Sequence, residues 1–172
     1  MGYDKFMIRK FSAGGVVYKK SADQILFLIR QSTFSPSFSP FSAWSLPKGW
    51  LDDAAPGQPG PLTLGLKRAS PAEIEQTALR EVREETGVEA KIIGRLGTDQ
   101  FFFTDEKKQK VFKTVIFFLM EYIRDLPEGF GPETSQVNWV DVDTACNLLA
   151  KRKGECKLIR QAILKINETQ IS

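Results

Sequence analysis

The stretch that decides the reading runs from Ser70 to Gly87, SPAEIEQTALREVREETG. It carries the start and stop signals of a helix. Ser70 suits the N-cap, Pro71 the first helical position, and Glu73 stands where a capping box needs it. Gly87 is the residue type that ends helices in the left-handed conformation. With 100° per residue and Ile74 at zero, Ala78 falls at about 40° and Val82 at about 80°, which defines a core-facing side. Glu81 falls at about −20° and Glu85 at about +20° on that same stripe, with Glu84 beside it at about −80°. A stripe that begins apolar turns acidic halfway along.

That arrangement is costly. Carboxylates at i,i+3 and i,i+4 repel by roughly 0.2–0.5 kcal/mol per pair even in water. Partly buried, each also loses hydration unless it is compensated. Arg80 and Arg83 neutralise part of the charge, and a divalent cation does so more completely. A solvated acidic face paired with the two arginines is the competing reading, and helical spacing alone leaves the two open.

Outward from this helix, the chain reads as strands and loops. Phe11–Lys19 (FSAGGVVYK) and Gln24–Arg30 (QILFLIR) are predicted strands joined by a short turn. Gln31–Ala43 has loop composition and carries Phe34, Phe38 and Phe41, either a pocket wall or a subunit contact. Trp44–Pro47 is predicted as a short strand ending in Lys48-Gly49. The Pro/Gly-rich Asp52–Leu66 cannot hold regular structure for long. Strands are also predicted at Ala90–Leu96, Asp99–Phe103, Val111–Tyr122 and Gln136–Val140. One or two helices follow over Thr144–Lys151 and Glu155–Ile166.

Composition narrows the chemistry. The chain has 172 residues, enough for one sizeable core, and no histidine. Ser-His-Asp hydrolysis, histidine phosphoenzymes and His-ligated zinc or iron are thereby excluded. The two cysteines, Cys146 and Cys156, form no C-x-x-C pattern, so neither a structural zinc nor a disulfide framework is expected, as suits a reducing cytoplasm. Any metal must sit on carboxylates, carbonyls and water, which selects a hard ion such as Mg²⁺ or Mn²⁺. The net charge of +3 suits an anionic small molecule and is too weak to argue for nucleic acid. The basic C-terminal segment (Lys151, Arg152, Lys153, Lys157, Arg160, Lys165) reads as a solvated helix face rather than an RNA contact. No signal peptide or membrane-spanning run is expected.

The run Arg80–Val88 (REVREETGV), preceded by Gly49 in WSLPKGW, resembles the signature of the Nudix hydrolases. That signature is a glycine, five residues, a glutamate, seven residues, then Arg-Glu-apolar-x-Glu-Glu-x-Gly-apolar. The similarity extends from SAGGVVY at Ser12 to the Trp139 strand. It implies an α+β fold, an α/β/α sandwich with a mixed β-sheet, over residues 1–172 as one domain. It also implies Mg²⁺-dependent hydrolysis of a nucleoside diphosphate derivative, with Mn²⁺ able to substitute. Two departures stand out. Twenty-two residues separate Gly49 from the position of the family's first glutamate, an insertion of 17 at about 52–69, and that position is Ala72. The Ser70–Glu73 capping box can supply the helix-start part of the missing side chain's role.

By this resemblance Glu81, Glu84 and Glu85 hold the metal with help from the Gly49 carbonyl, and Glu133 is a further carboxylate near it. Arg80 orients the glutamates, and either Glu81 or Glu84 takes the proton of the attacking water. Two local stretches, Lys113-Thr114-Val115-Ile116 and Glu133 six residues before Trp139, look most like the diadenosine tetraphosphate hydrolases. Lys48 and Lys113 are then the polyphosphate contacts. Phe101 and Phe103 are candidates to stack on the base, because alternation turns Phe102 to the opposite face. Alternatives are a pyrophosphohydrolase of oxidised nucleoside triphosphates, sugar nucleotides or inositol polyphosphates, or a catalytically silent nucleotide-binding protein. A monomer or homodimer without membrane contact is expected.

Overall fold

The computed structural model describes residues 7–33 and 44–171. Phe34, Phe38 and Phe41 lie outside the described residues. Strands β1 (Ile8–Ser21) and β2 (Gln24–Ser32) form a hairpin. Short strands β3 (Trp44–Ser45) and β4 (Lys48–Trp50) follow, then a hairpin of β5 (Asp53–Ala55) and β6 (Gln58–Pro59). Helix α1 (Pro71–Thr86) precedes the long strands β7 (Val88–Thr104) and β8 (Lys110–Asp125). Strand β9 (Thr134–Val140) and helices α2 (Val142–Leu148) and α3 (Lys153–Thr169) complete the order.

The main sheet runs β3-β2-β1-β8-β7, with β4 on β1 and β9 on β2. The β1–β8 pair is parallel and the other pairs are antiparallel, so the sheet is mixed. Strand β1 is buried without a break from Ser12 to Tyr18, because both its faces are covered. Ala13 and Val17 join Ala78 and Val82 of α1 in one core. Val16 and Tyr18 join Ala145 of α2 and Ile159 and Ala162 of α3 in the other. The chain is thus an α+β, helix–sheet–helix sandwich. A Cβ at Gly15 would approach Val82 Cγ2 to 2.6 Å, so glycine lets α1 lie close on the sheet.

Three expectations change. The regions 90–96 and 99–103 are one strand, β7, whose irregularities at Ile92/Gly94 and Arg95/Gly97 are absorbed as shifts of register against β8. The predicted strand at 44–47 is shortened to Trp44–Ser45 and a separate strand, β4, starts at Lys48 after Leu46-Pro47, because proline cannot supply a ladder amide. The two cysteines, expected to stay unlinked, form the disulfide Cys146–Cys156. The pairing follows from geometry that sequence spacing hides: α2 and α3 pack together and set the two Cα atoms 4.9 Å apart.

The Pro/Gly-rich segment is folded tightly on itself. The Asp52 carboxylate accepts the amides of Leu62 at 3.1 Å and Thr63 at 2.8 Å. The Thr63 hydroxyl donates to the Asp52 carbonyl at 2.8 Å, and the Phe11 amide donates to the Thr63 carbonyl at 2.8 Å, which docks the segment on β1. No helix among the described residues is long and apolar enough to cross a membrane.

Candidate active site

Helix α1 starts and stops where its caps require. Ser70 Oγ accepts the Glu73 amide at 3.2 Å, and a Glu73 carboxylate oxygen accepts the Ser70 amide at 2.7 Å. Gly87 closes the helix at φ 68°. The loop before β9 is clipped to this end, since the Gly131 amide donates to the Glu84 carbonyl at 2.7 Å. The Thr77 hydroxyl reaches the Leu51 carbonyl at 3.3 Å, tying the middle of α1 to the chain just after β4.

The acidic stripe divides as helical phase demands. Glu81 is 8% exposed and Glu85 7%, whereas the Glu84 side chain is 56% exposed. Glu81 pairs with Arg80 Nη1 at 2.8 Å, and the same nitrogen reaches Glu84 at 3.1 Å. Arg80 also donates to the Trp50 carbonyl at 3.2 Å, which fixes its guanidinium against β4. Glu85 receives the Lys48 amide at 2.9 Å and the Arg30 guanidinium at 3.3 Å. Burial pushes the Glu81 carboxyl up to about 7 against the pull of Arg80, with Glu85, Glu84 and Glu133 adding to the rise. Burial raises Glu85 too, although Arg30 and the Lys48 amide oppose it.

Arg80, Glu81, Glu84 and Glu85 line a cleft of about 800 Å³. One wall is Lys48, Gly49 and Trp50 of β4, with Asp53 and Gly57 of the inserted hairpin. The other is the loop from Glu128 to Glu133. Lys113 lines it from β8; desolvation lowers its ammonium to about 8, the nearby cations Lys48, Lys10 and Arg152 acting the same way and Glu81 against them.

Of the residues singled out in sequence, Lys48, Gly49, Arg80, Glu81, Glu84, Glu85, Lys113 and Glu133 lie together on this cleft. Phe101 and Phe103 do not line it. Their rings sit 6.2 Å apart on one face of β7, while Phe102 turns away onto Phe112 at 4.7 Å. The aromatic lining is Trp50 and Phe130 instead. The Lys48 ammonium is turned to Glu155 of α3, at 2.6 Å.

Arg30 was not singled out, yet it joins three parts of the site. Its Nε donates to Thr134 Oγ1 at 3.1 Å and its Nη2 to the Glu133 carbonyl at 2.8 Å, beside its ion pair with Glu85. A cation closing the apolar run QILFLIR was the available signal. Phe130 and Glu155 had weaker ones: an aromatic between two glycines, and a single acid inside a basic segment.

The donor set fits a hard divalent cation. Carboxylates converge on the backbone of β4, and a Cβ at Gly49 would collide with the Glu81 carboxyl, so only glycine lets main chain and carboxylate share that space. Among the described residues no three acids already form a closed cage. Arg80 bridges Glu81 and Glu84 through one oxygen of each and leaves the second oxygen of each carboxylate for a bound ion.

Comparison with known proteins agrees with this architecture. A Mycobacterium tuberculosis protein carrying the name MutT4 is 35% identical over 100 residues, 58% of this chain and 33% of its own length, so the match spans about a third of that relative. The structure of a C. elegans Ap4A hydrolase binary complex superposes with a TM-score of 0.61 at 19% identity, covering 92% of this chain and 98% of the other. The NUDIX domain of Shewanella oneidensis NrtR, complexed with ADP ribose, gives 0.63 at 19% identity, covering 95% and 94%. The family model described as NUDIX domain matches residues 9–162. The chain belongs to the NUDIX domain family.

Proposed function

We propose that the protein hydrolyses a phosphoanhydride bond in a nucleoside diphosphate derivative, most specifically a dinucleoside polyphosphate such as diadenosine tetraphosphate. The observation that carries this reading is the cleft itself, where Glu81, Glu84, Glu85 and Glu133 meet Arg80 and Lys113 around one opening. Glu81, Glu84 and Glu85, with the Gly49 backbone, would hold Mg²⁺ or Mn²⁺. Such an ion supplies positive charge to phosphate oxygens and acidifies water. Arg80 steers the two carboxylates it touches, and either Glu81 or Glu84 receives the proton of the attacking water. Glu133 adds negative charge at the opposite wall.

Lys113 is the better polyphosphate contact of the two lysines, because Lys48 is already engaged by Glu155. Trp50 and Phe130 are the flat partners for a base, and stacking of this kind is worth ~1–3 kcal/mol. Two aromatic surfaces and a cleft of about 800 Å³ suit a substrate longer than one mononucleotide. The fold similarity to a protein titled Ap4A hydrolase points the same way. The rival reading, a nucleoside triphosphate pyrophosphohydrolase, keeps the same cleft and cation and changes only the substrate.

Product analysis with Mg²⁺ separates these readings. Diadenosine tetraphosphate is expected to give a mono- and a triphosphate, faster than any triphosphate in a panel is split. Much faster turnover of an oxidised deoxynucleoside triphosphate overturns the dinucleotide assignment. Nucleotide binding without any Mg²⁺-dependent product overturns the enzyme itself.

A further inference from the structure

Glu155 is the most deeply buried acid among the described residues, 1% exposed, and it belongs to the helix on the far side of the sheet from α1. A carboxylate placed there needs partners, since an unpaired buried charge is strongly destabilising. It has two on one short segment. One oxygen accepts the Leu46 amide at 2.9 Å, and the other holds the Lys48 ammonium at 2.6 Å. Arg152, at 3.9 Å, is a looser third. Gly154 is in place to admit Asp99 of β7, whose carboxylate occupies the space a Cβ would need and packs the first turn of α3 against the sheet.

The segment so held, Leu46–Gly49, leads into β4 and carries Gly49, with Lys48 and Gly49 paired to Gly14 and Ala13 of β1. From the opposite face, Glu85 of α1 accepts the Lys48 amide at 2.9 Å. The Leu46–Gly49 segment is thereby gripped by one carboxylate from each helical layer. The next residue, Gly49, lies against the Glu81 carboxyl with no room for a side chain. A shift of this segment moves the Gly49 backbone relative to Glu81.

We propose that Glu155 is a positioning residue for the cation-binding part of the cleft: it anchors the Leu46–Gly49 segment at the start of β4 through the Leu46 amide and the Lys48 ammonium, so that the Gly49 backbone stays on Glu81. The inference rests on the reading of the cleft as a divalent-cation site. It also assigns the Lys48 side chain to the scaffold of this segment.

The test is Mn²⁺ binding to nucleotide-free protein, read by the loss of the free-ion electron paramagnetic resonance signal. Glu155→Gln keeps an acceptor for the Leu46 amide and loses the ion pair with Lys48. It is expected to retain the wild-type circular dichroism spectrum and to bind Mn²⁺ roughly 10–100-fold more weakly, as changes behind metal ligands do. With Mn²⁺ saturating, its KM for nucleotide stays near that of wild type. Lys48→Met, which leaves Glu155 on the Leu46 amide, shows the same weakening and decides the matter if Glu155→Gln fails to fold. Folded variants with Mn²⁺ affinity within twofold of wild type overturn the proposal while leaving the cleft assignment intact. A wild-type protein that binds no Mn²⁺ removes both.

Discussion

Glu81 shows what burial does to a single carboxyl. Its folded-state pKa of about 7 lies above the ordinary 4.5, so between those values the folded chain keeps a proton that the unfolded chain has released. Its contribution is therefore fully present below pH 4.5 and lost as pH rises through 7, a change of up to about 3 kcal/mol. Glu81→Gln does not titrate. In EDTA, the Tm of wild type relative to Glu81→Gln is expected to fall between pH 5 and pH 8, and Mg²⁺ to raise wild-type Tm more at pH 8 than at pH 5. A gap between the two proteins that stays constant with pH contradicts the burial described for this side chain. Lys113 acts in the opposite sense. Its lowered pKa, about 8, makes the charged form unfavourable in the fold below that pH, a penalty relieved as pH rises from 8 toward 10.5.

At the scale of elements, α1 is specified by its own residues. The Ser70 cap, Pro71, Glu73 and Gly87 all act within a turn of the groups they satisfy, which is why both ends were readable in sequence. Ser70→Ala removes the side-chain half of the box and is expected to cost about 1 kcal/mol, a drop of roughly 2–4 °C in Tm by calorimetry. The same locality explains Glu81 and Glu85, whose burial follows from helical phase with Ile74 and Ala78. Strands were harder to read. Strand β7 looked like two because Gly97 and Thr98 interrupt its apolar pattern, whereas β8 carries the pairing across the irregularity. Thr134 and Glu133 lie over a hundred residues from Arg30, as do Leu46 and Lys48 from Glu155, so no periodicity within either segment could reveal these partners. Phe101 and Phe103 share a face, as alternation requires, but only the tertiary fold shows that this face is not the cleft.

For the whole molecule, the two helical layers are tied unequally. Helix α1 is bonded at both ends and packed through Gly15 onto the sheet. The other layer is a pair of helices joined by Cys146–Cys156. Closing that short loop limits the unfolded chain and is worth about 3 kcal/mol. Reduction by dithiothreitol, or Cys146→Ser, is expected to lower Tm by roughly 5–10 °C, and an unchanged Tm in reductant argues that the link carries no stability. Because Glu155 precedes Cys156, the stability of this layer and the placing of the Leu46–Gly49 segment share one stretch of helix.

The parallel partnership of β1 with β8 has a consequence for how the chain is made. Ile8 lies opposite Val111, so the first strand meets its neighbour only after more than a hundred further residues have been synthesised. Its hairpin with β2 can close early, because that contact is local. During translation the other edge of β1 remains an open row of amides and carbonyls, the kind of edge that recruits other chains. Slow, late closure of this seam is the step at which nascent molecules are most exposed to aggregation.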